Sequence, residues 1–182
     1  ETAIMLADQA IRSGDADVII AGGMESMTNS PYIIKNARSG QRFGHGKLID
    51  SMIHDGLWDV YNDKHMGNCA EMLAAERNFT RQLQDDYAID SYNKSISAIK
   101  NKIFSTEIVP VEVNKRRGNS IFVVDDEEPS RVNFDKIKKL RPAFSSDGTI
   151  TAANASKLND GAAVLLIMSK QKANECGLKP LG

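Results

Sequence analysis

Cysteine is scarce in this 182-residue chain: Cys69 and Cys176 stand apart, and no Cys-x-x-Cys pair occurs. That excludes a disulfide framework and a spaced cysteine zinc site, and makes a reducing compartment the simpler reading. A dominant sign of charge is missing too. Lys and Arg number 23 against 24 Asp and Glu, for a formal net charge of -1. Nothing global therefore attracts the chain to nucleic acid or to an anionic membrane. No apolar run approaches the roughly 20 residues that cross a bilayer. Internal repeats and low-complexity tracts are absent. No signal or transit segment precedes the first helical pattern, and with Glu1 in first place the true N-terminus is expected to lie outside these residues.

What is present is ordinary for a globular protein, with 41 % hydrophobic and 26 % charged residues. The length suits one domain or parts of two. Ala3, Ile4, Ala7, Ala10 and Ile11 recur at helical spacing over residues 1–12, on a face of mostly small side chains. Ser13-Gly14-Asp15 ends that helix. Ala16 to Ala21 (ADVIIA) then reads as a buried strand of a parallel sheet covered on both faces. Gly22 to Asn62 has little periodicity and is expected to be an extended excursion, a length of loop that is usually functional.

Met66, Ala70, Leu73 and Ala74 predict one face of a helix over residues 66–77. Thr80 caps a longer one reaching about Lys100, with a stripe of Ile89, Tyr92, Ile96 and Ile99. Glu107–Val113 and Ile121–Val124 predict two short strands, with an exposed hairpin turn at Lys115-Arg116-Arg117-Gly118-Asn119. The acidic run Asp125–Glu128 is stopped by Pro129, and Phe134–Leu140 predicts one or two helical turns. Ala162 to Met168 (AAVLLIM) is a second buried strand, preceded by a structural turn at Asn159-Asp160-Gly161 and followed by a short helix ending at Gly177. The order is α/β, an inserted mixed region, then α/β again.

Four stretches, in this order and spacing, resemble the thiolase family. They are Ala21–Tyr32 (AGGMESMTNSPY), Asp55–Glu71 (DGLWDVYNDKHMGNCAE), Glu107–Val111 (EIVPV) and Thr151–Ala162 (TAANASKLNDGA). The TAANAS and DVYNDKHMG segments look closest to the mitochondrial acetoacetyl-CoA thiolases of animals. The resemblance implies two similar α/β halves with a loop domain inserted in the first. Residues 1–24 would close the first half, 25–150 form the loop domain and 151–182 open the second half. It also implies carbon–carbon bond formation or cleavage between acyl groups carried on coenzyme A, with acyl-CoA thioesters as substrates and no cofactor required for the chemistry. Assembly as a homotetramer and a mitochondrial matrix location, with the cytoplasm as alternative, belong to the same expectation.

That chemistry needs a thiolate nucleophile, a base for an α-proton, and donors for the enolate and oxyanion. Aligned on Ala3-Ile4-Met5, the family's nucleophilic cysteine would precede Glu1. Its histidine, in Gly-His-Pro, and second cysteine, in Cys-x-Gly, would follow Gly182. Cys69 lies four residues after His65, yet reads better as a small buried hydrophobe than as part of a Cys–His pair. No residue of the chain is therefore assigned to catalysis.

The resemblance leaves coenzyme A recognition. Leu57, His65, Met66, Phe144, Ala152 and Ser156 match positions that contact the pantetheine arm, with Tyr61 beside them. Arg131, Asn133 and Lys136 match the segment at the adenine nucleotide, where cations suit phosphates. Read without the family, Met66 and Phe144 are core, His65 is a satisfied structural histidine, and Arg131 with Lys136 is a solvated charged face. A potassium ion is also implied, held by the Tyr61 hydroxyl and the backbone carbonyls of Ala152, Ala153 and Ala155. Three alternatives stay open: a short-chain enzyme, a longer-chain 3-ketoacyl-CoA thiolase, or a non-catalytic coenzyme A-binding remnant.

Overall fold

The computed structural model describes residues 1–115 and 118–182. In chain order its elements are α1 (Thr2–Ser13), β1 (Val18–Glu25), β2 (Tyr32–Ile34), β3 (Leu48–Asp50), β4 (Trp58–Asp59), β5 (Lys64–His65) and α2 (Met66–Glu76). There follow α3 (Arg81–Lys100), β6 (Val111–Val113), β7 (Ile121–Val123), α4 (Glu127–Arg131), α5 (Phe134–Ile137), β8 (Gly161–Met168) and α6 (Lys170–Glu175). This α/β chain divides into two compact units, one of residues 1–56 with 158–182, the other of residues 57–157.

The first unit is built on α1, β1 and β8. Gly14, at φ 81°, closes α1 by donating its N–H to the carbonyls of Ala10 and Ile11, a left-handed cap that glycine adopts without a Cβ clash. Ala3, Ala7, Ala10 and Ile11 turn inward as their spacing predicts, while Ile4 is 42 % exposed. β1 and β8 pair along their full length, from Val18↔Met168 to Glu25↔Gly161. Gly22 permits this approach, because a Cβ there would collide with the Ala163 carbonyl oxygen.

Two expectations fail in this unit. The pair is antiparallel, not parallel. An unbroken apolar run reports that both faces of a strand are apolar and carries no information on direction. The strands are also largely exposed within these residues, with Ile20 at 73 % and Val164 at 70 %, and Ala21 alone buried. The excursion after β1 does contain structure: β2 and β3 pair antiparallel, and the Ser51 N–H and Oγ–H both donate to the Pro31 carbonyl.

The second unit is mainly helical. Thr80 caps α3 by accepting the Leu83 N–H at 3.2 Å, as predicted. The helix faces differ from the simple apolar stripes. On α2, Ala74 is buried as expected, but Gly67 and Glu71 share its inward row while Met66, Ala70 and Leu73 face out. On α3 the expected stripe holds in part, with Ile89, Tyr92 and Ile96 half-buried and Ile99 exposed, but the fully buried positions are Asp85 and Ala88. Apolar counting misses a face made of small residues and of carboxylates satisfied by hydrogen bonds.

The acidic run ends at Pro129, yet a helix continues through it: Pro129 lies in the first turn of α4, where its missing N–H costs no helical bond, and Asp126 caps the turn through the Glu128 N–H. β6 starts at Val111, four residues later than the strand expected from Glu107. The turn expected at Lys115–Asn119 includes Arg116 and Arg117, which lie outside the described residues. The core gathers Ala74, Ala88, Ile137, Ile150, Thr151 and Asp85. Among the described residues no helix is long and apolar enough to cross a membrane.

Candidate functional site

The β4–β5 hairpin and the start of α2 assemble the first group of candidate residues. Trp58 pairs with His65 across the hairpin, and the Leu57 carbonyl accepts the Met66 N–H at 2.8 Å. His65 then caps α2, its Nδ1 accepting the Gly67 N–H at 2.9 Å. The imidazole stacks on Phe144, with ring centroids 5.1 Å apart and planes 27° from parallel. Gly67 lies under the same ring, where a Cβ would overlap Phe144. Asn68 holds the other end of that residue, donating from Nδ2 to the Phe144 carbonyl at 3.0 Å.

Leu57, His65, Met66 and Phe144 are thus brought together. Met66 is 44 % exposed, so it is surface and not core. The reading of His65 as a structural histidine is correct for Nδ1, while its ring face supports the Phe144 platform. The half-buried Phe144 ring stacked on His65, with the exposed Met66 next in the chain and the polar Asn68 bonded to the Phe144 carbonyl, offers apolar surface with a polar group close by.

The second group is the turn Thr151–Ser156. Asn154 fixes it from within: its Oδ1 accepts the Thr151 N–H at 2.7 Å, and its Nδ2 donates to the Thr149 carbonyl and to Asp85 Oδ1. Asp85 is 2 % exposed and also takes the Arg81 Nε at 2.8 Å, so its charge is paired inside the unit. Ala152 and Ser156 are left exposed on the turn. Ala153, Ala155 and Ser156 border a cavity of about 300 Å³ with Tyr87, Tyr92 and Glu128.

Glu71 links α2 to the residues before this turn. Its carboxylate accepts the backbone N–H groups of Thr149 and Ile150 and the Thr149 hydroxyl, all within 3.0 Å. Burial pushes the Glu71 carboxyl up, but these donors outweigh it and hold the group below the ordinary 4.5.

Lys157 follows the turn directly. Its Nζ donates to the Ala152 carbonyl at 2.6 Å and lies 3.0 Å from Glu128 Oε1, which also accepts the Tyr92 hydroxyl at 2.8 Å. Partial burial disfavours the ammonium, yet the bonds to Glu128 and Tyr92 prevail and keep Lys157 above the usual lysine value. Glu128 is correspondingly lowered, by Lys157 first and Tyr92 second.

This arrangement does not fit the potassium ion that the resemblance implies. The Ala152 carbonyl already receives an ammonium. Tyr61 is 94 % exposed and is not among the residues bordering the cavity with Ala153 and Ala155.

At the expected nucleotide end, Arg131 is paired with Glu127 at 2.9 Å on α4, with both side chains mostly exposed. Asn133 stands at the start of α5 without a side-chain capping bond, and Lys136 is exposed on that helix. Cys69 makes no pair with His65; its sulfur lies 3.7 Å from Asp59 Oδ2. Cys176 is an exposed residue at the end of α6.

Glu71, Asp85, Asn154, Asn68 and Lys157 carry this architecture without having been singled out in the sequence. A signal existed for two of them. Glu71 and Asp85 occupy the inward row of an otherwise small-residue helix face, where a carboxylate requires partners.

A family model described as "Thiolase, N-terminal domain" matches residues 1–171. The chain is 50 % identical over 178 residues to acetyl-CoA acetyltransferase 2 of Arabidopsis thaliana, covering 97 % of this chain and 44 % of that protein. It is 50 % identical over 180 residues to an acetyl-CoA acetyltransferase of Pseudomonas aeruginosa, covering 98 % and 46 %. Among solved structures, acetyl-CoA acetyltransferase from Syntrophomonas wolfei superimposes with a TM-score of 0.86 at 41 % identity, covering 98 % of this chain and 45 % of that one. The chain thus spans less than half the length of the relatives it matches.

Proposed function

The chain belongs to the thiolase family, and from that premise we propose that the complete protein is an acetyl-CoA C-acetyltransferase. It would condense two acetyl-CoA molecules, or cleave acetoacetyl-CoA with coenzyme A. In condensation, a cysteine thiolate outside residues 1–182 displaces coenzyme A from one acetyl-CoA. A second acetyl-CoA loses an α-proton to a base, and the resulting carbanion attacks the acyl-cysteine carbonyl, forming the carbon–carbon bond and expelling the cysteine thiolate. Residues 1–182 contribute substrate recognition.

The observation that carries this reading is the shelf made by Phe144 stacked on His65, with exposed Met66 following His65 in the chain. Such a surface suits the amphipathic pantetheine arm, with Leu57 and Ala152 as further contacts and the Ser156 hydroxyl offered to an amide. Arg131, Asn133 and Lys136 would serve the phosphates, Arg131 exchanging Glu127 for the ligand. Tyr61, exposed as it is, would meet substrate and not a metal. The names of the Arabidopsis and Pseudomonas relatives favour acetyl transfer.

Residues 1–24, 25–150 and 151–182 would be the end of one α/β half, the loop domain and the start of the second half. The loop domain would mediate a homotetramer, which gel filtration with light scattering would test. The relatives compared come from bacteria and a plant and lend no support to a mitochondrial matrix location.

The deciding experiment is a thiolysis assay of the full-length protein on acetoacetyl-CoA and on longer 3-ketoacyl-CoA thioesters, with Phe144→Ala in parallel. Acetoacetyl-CoA should be the faster substrate, and Phe144→Ala should raise KM more than it lowers kcat. Faster cleavage of longer chains would replace the substrate, and an unchanged KM would remove the shelf from coenzyme A recognition. An intact mass of the natural protein about twice 20.0 kDa, in keeping with the shares of the relatives covered, would oppose the non-catalytic remnant.

A further inference from the structure

We propose that Lys157 is a built-in monovalent cation, whose ammonium bridges the Ala152 carbonyl to Glu128 and makes a bound potassium ion unnecessary at the Thr151–Ser156 turn. The geometry is that of an ion on oxygen donors. Nζ has a backbone carbonyl at 2.6 Å and a carboxylate oxygen at 3.0 Å. That carboxylate is anchored in turn by the Tyr92 hydroxyl at 2.8 Å. An ammonium and a potassium ion carry the same single charge and seek the same kind of partner, oxygen atoms with lone pairs to spare. The two cannot share the Ala152 carbonyl without repulsion.

The ammonium also has an advantage over a free ion. It is covalently attached one residue from the turn, so its local concentration does not depend on the salt in solution. Three elements are tied by the bridge: the turn itself, α3 through Tyr92, and α4 through Glu128. Ser156, the hydroxyl offered to substrate, lies between Ala152 and Lys157 in sequence, inside the closed ring. Lys157 is therefore a positioning residue, and its role is independent of which acyl group is transferred.

The test uses the full-length protein, its thermal midpoint measured in potassium, sodium and choline chlorides at one ionic strength. The wild type and Lys157→Arg should unfold at the same temperature in all three salts. Lys157→Thr, which leaves the carbonyl and carboxylate facing a vacated space, should fall by about 2–4 °C in choline. Potassium should restore it more than sodium does. Selective stabilisation of the wild type by potassium would overturn the proposal. So would a Lys157→Thr midpoint that does not move in choline, or a fall that no cation restores. Should that variant fail to fold, rubidium-soaked crystals of the wild type decide the matter: an anomalous peak on the Ala152 carbonyl overturns the proposal, and an ammonium alone at that oxygen supports it.

Discussion

The two units hold themselves together by different means. The unit of residues 1–56 and 158–182 relies on a long β-ladder and small alanines, with Ala7, Ala21 and Ala173 as its buried apolar side chains and large aliphatic residues of β1 and β8 facing outward. The unit of residues 57–157 relies on carboxylates that reach backbone and amide groups far away in sequence, Glu71 on Thr149 and Ile150 and Asp85 on Asn154, with Arg81 one helical turn before Asp85 pairing its charge. The first is regular and poorly covered; the second is irregular and fully satisfied, with no buried side-chain nitrogen or oxygen lacking a partner among the described residues. Irregular backbone such as the Thr151–Ser156 turn needs directional bonds to fix it, because apolar packing alone does not specify a loop.

The sharpest way to break this contrast is Asp85→Ala. It leaves Arg81 without its buried partner and Asn154 without one acceptor, and should cost about 3 kcal/mol in urea unfolding. The double replacement Arg81→Met with Asp85→Leu should recover part of that loss. A loss below about 1 kcal/mol would show that the ion pair is ornamental, as most exposed ones are.

Glu71→Ala comes next, at about 2 kcal/mol, since charged-group hydrogen bonds contribute more than neutral ones. Its sign with pH is fixed by the depressed carboxyl. The Glu71 contribution is complete above 4.5, the ordinary value, and fades as pH falls through its lower value in the folded chain. Acid titration of stability should therefore be flatter in Glu71→Ala than in the wild type below that pH.

Gly67→Ala sharpens the link between the polar unit and the shelf. The added methyl must displace the Phe144 ring, for about 1–2 kcal/mol of stability and a weaker coenzyme A titration by calorimetry. Unaltered coenzyme A binding would separate the ring from recognition.

Ile20→Lys, in the other unit, should have the smallest effect. At 73 % exposure, a substitution within these 182 residues should stay inside about 0.5 kcal/mol. A larger loss in the full-length protein would show that residues beyond this chain cover that strand.

Regular elements were legible in the sequence because period and capping are local. Thr80 declared the start of α3, Gly14 the end of α1, and the apolar runs located β1 and β8. Strand direction was not legible, since the antiparallel pairing of Val18 with Met168 depends on chain far from either strand. The helix faces were legible only in part for a related reason: Ala74 and the half-buried Ile89, Tyr92 and Ile96 follow their period, but Gly67 is small, and Glu71 and Asp85 turn inward where hydrogen-bond partners satisfy them. The shelf residues Leu57, His65, Met66 and Phe144 came from family resemblance, and the structure brings them together. The bridge of Lys157 was invisible, because a lysine beside a turn reads as solvated until the carbonyl it faces is known.

The pairing of β1 with β8 also sets a schedule for synthesis. The segments they bound meet again at Thr28 and Asp160, whose hydrogen bond spans 132 positions. At about 5–20 residues per second, β1 therefore waits roughly 7 to 26 s on the ribosome before its partner strand exists. Throughout that interval Val18-Ile19-Ile20-Ala21 presents an unpaired apolar edge, the kind of segment that recruits other nascent chains. A circular permutant that places β8 beside β1 in the chain should shorten that interval, and aggregation during synthesis should fall with it.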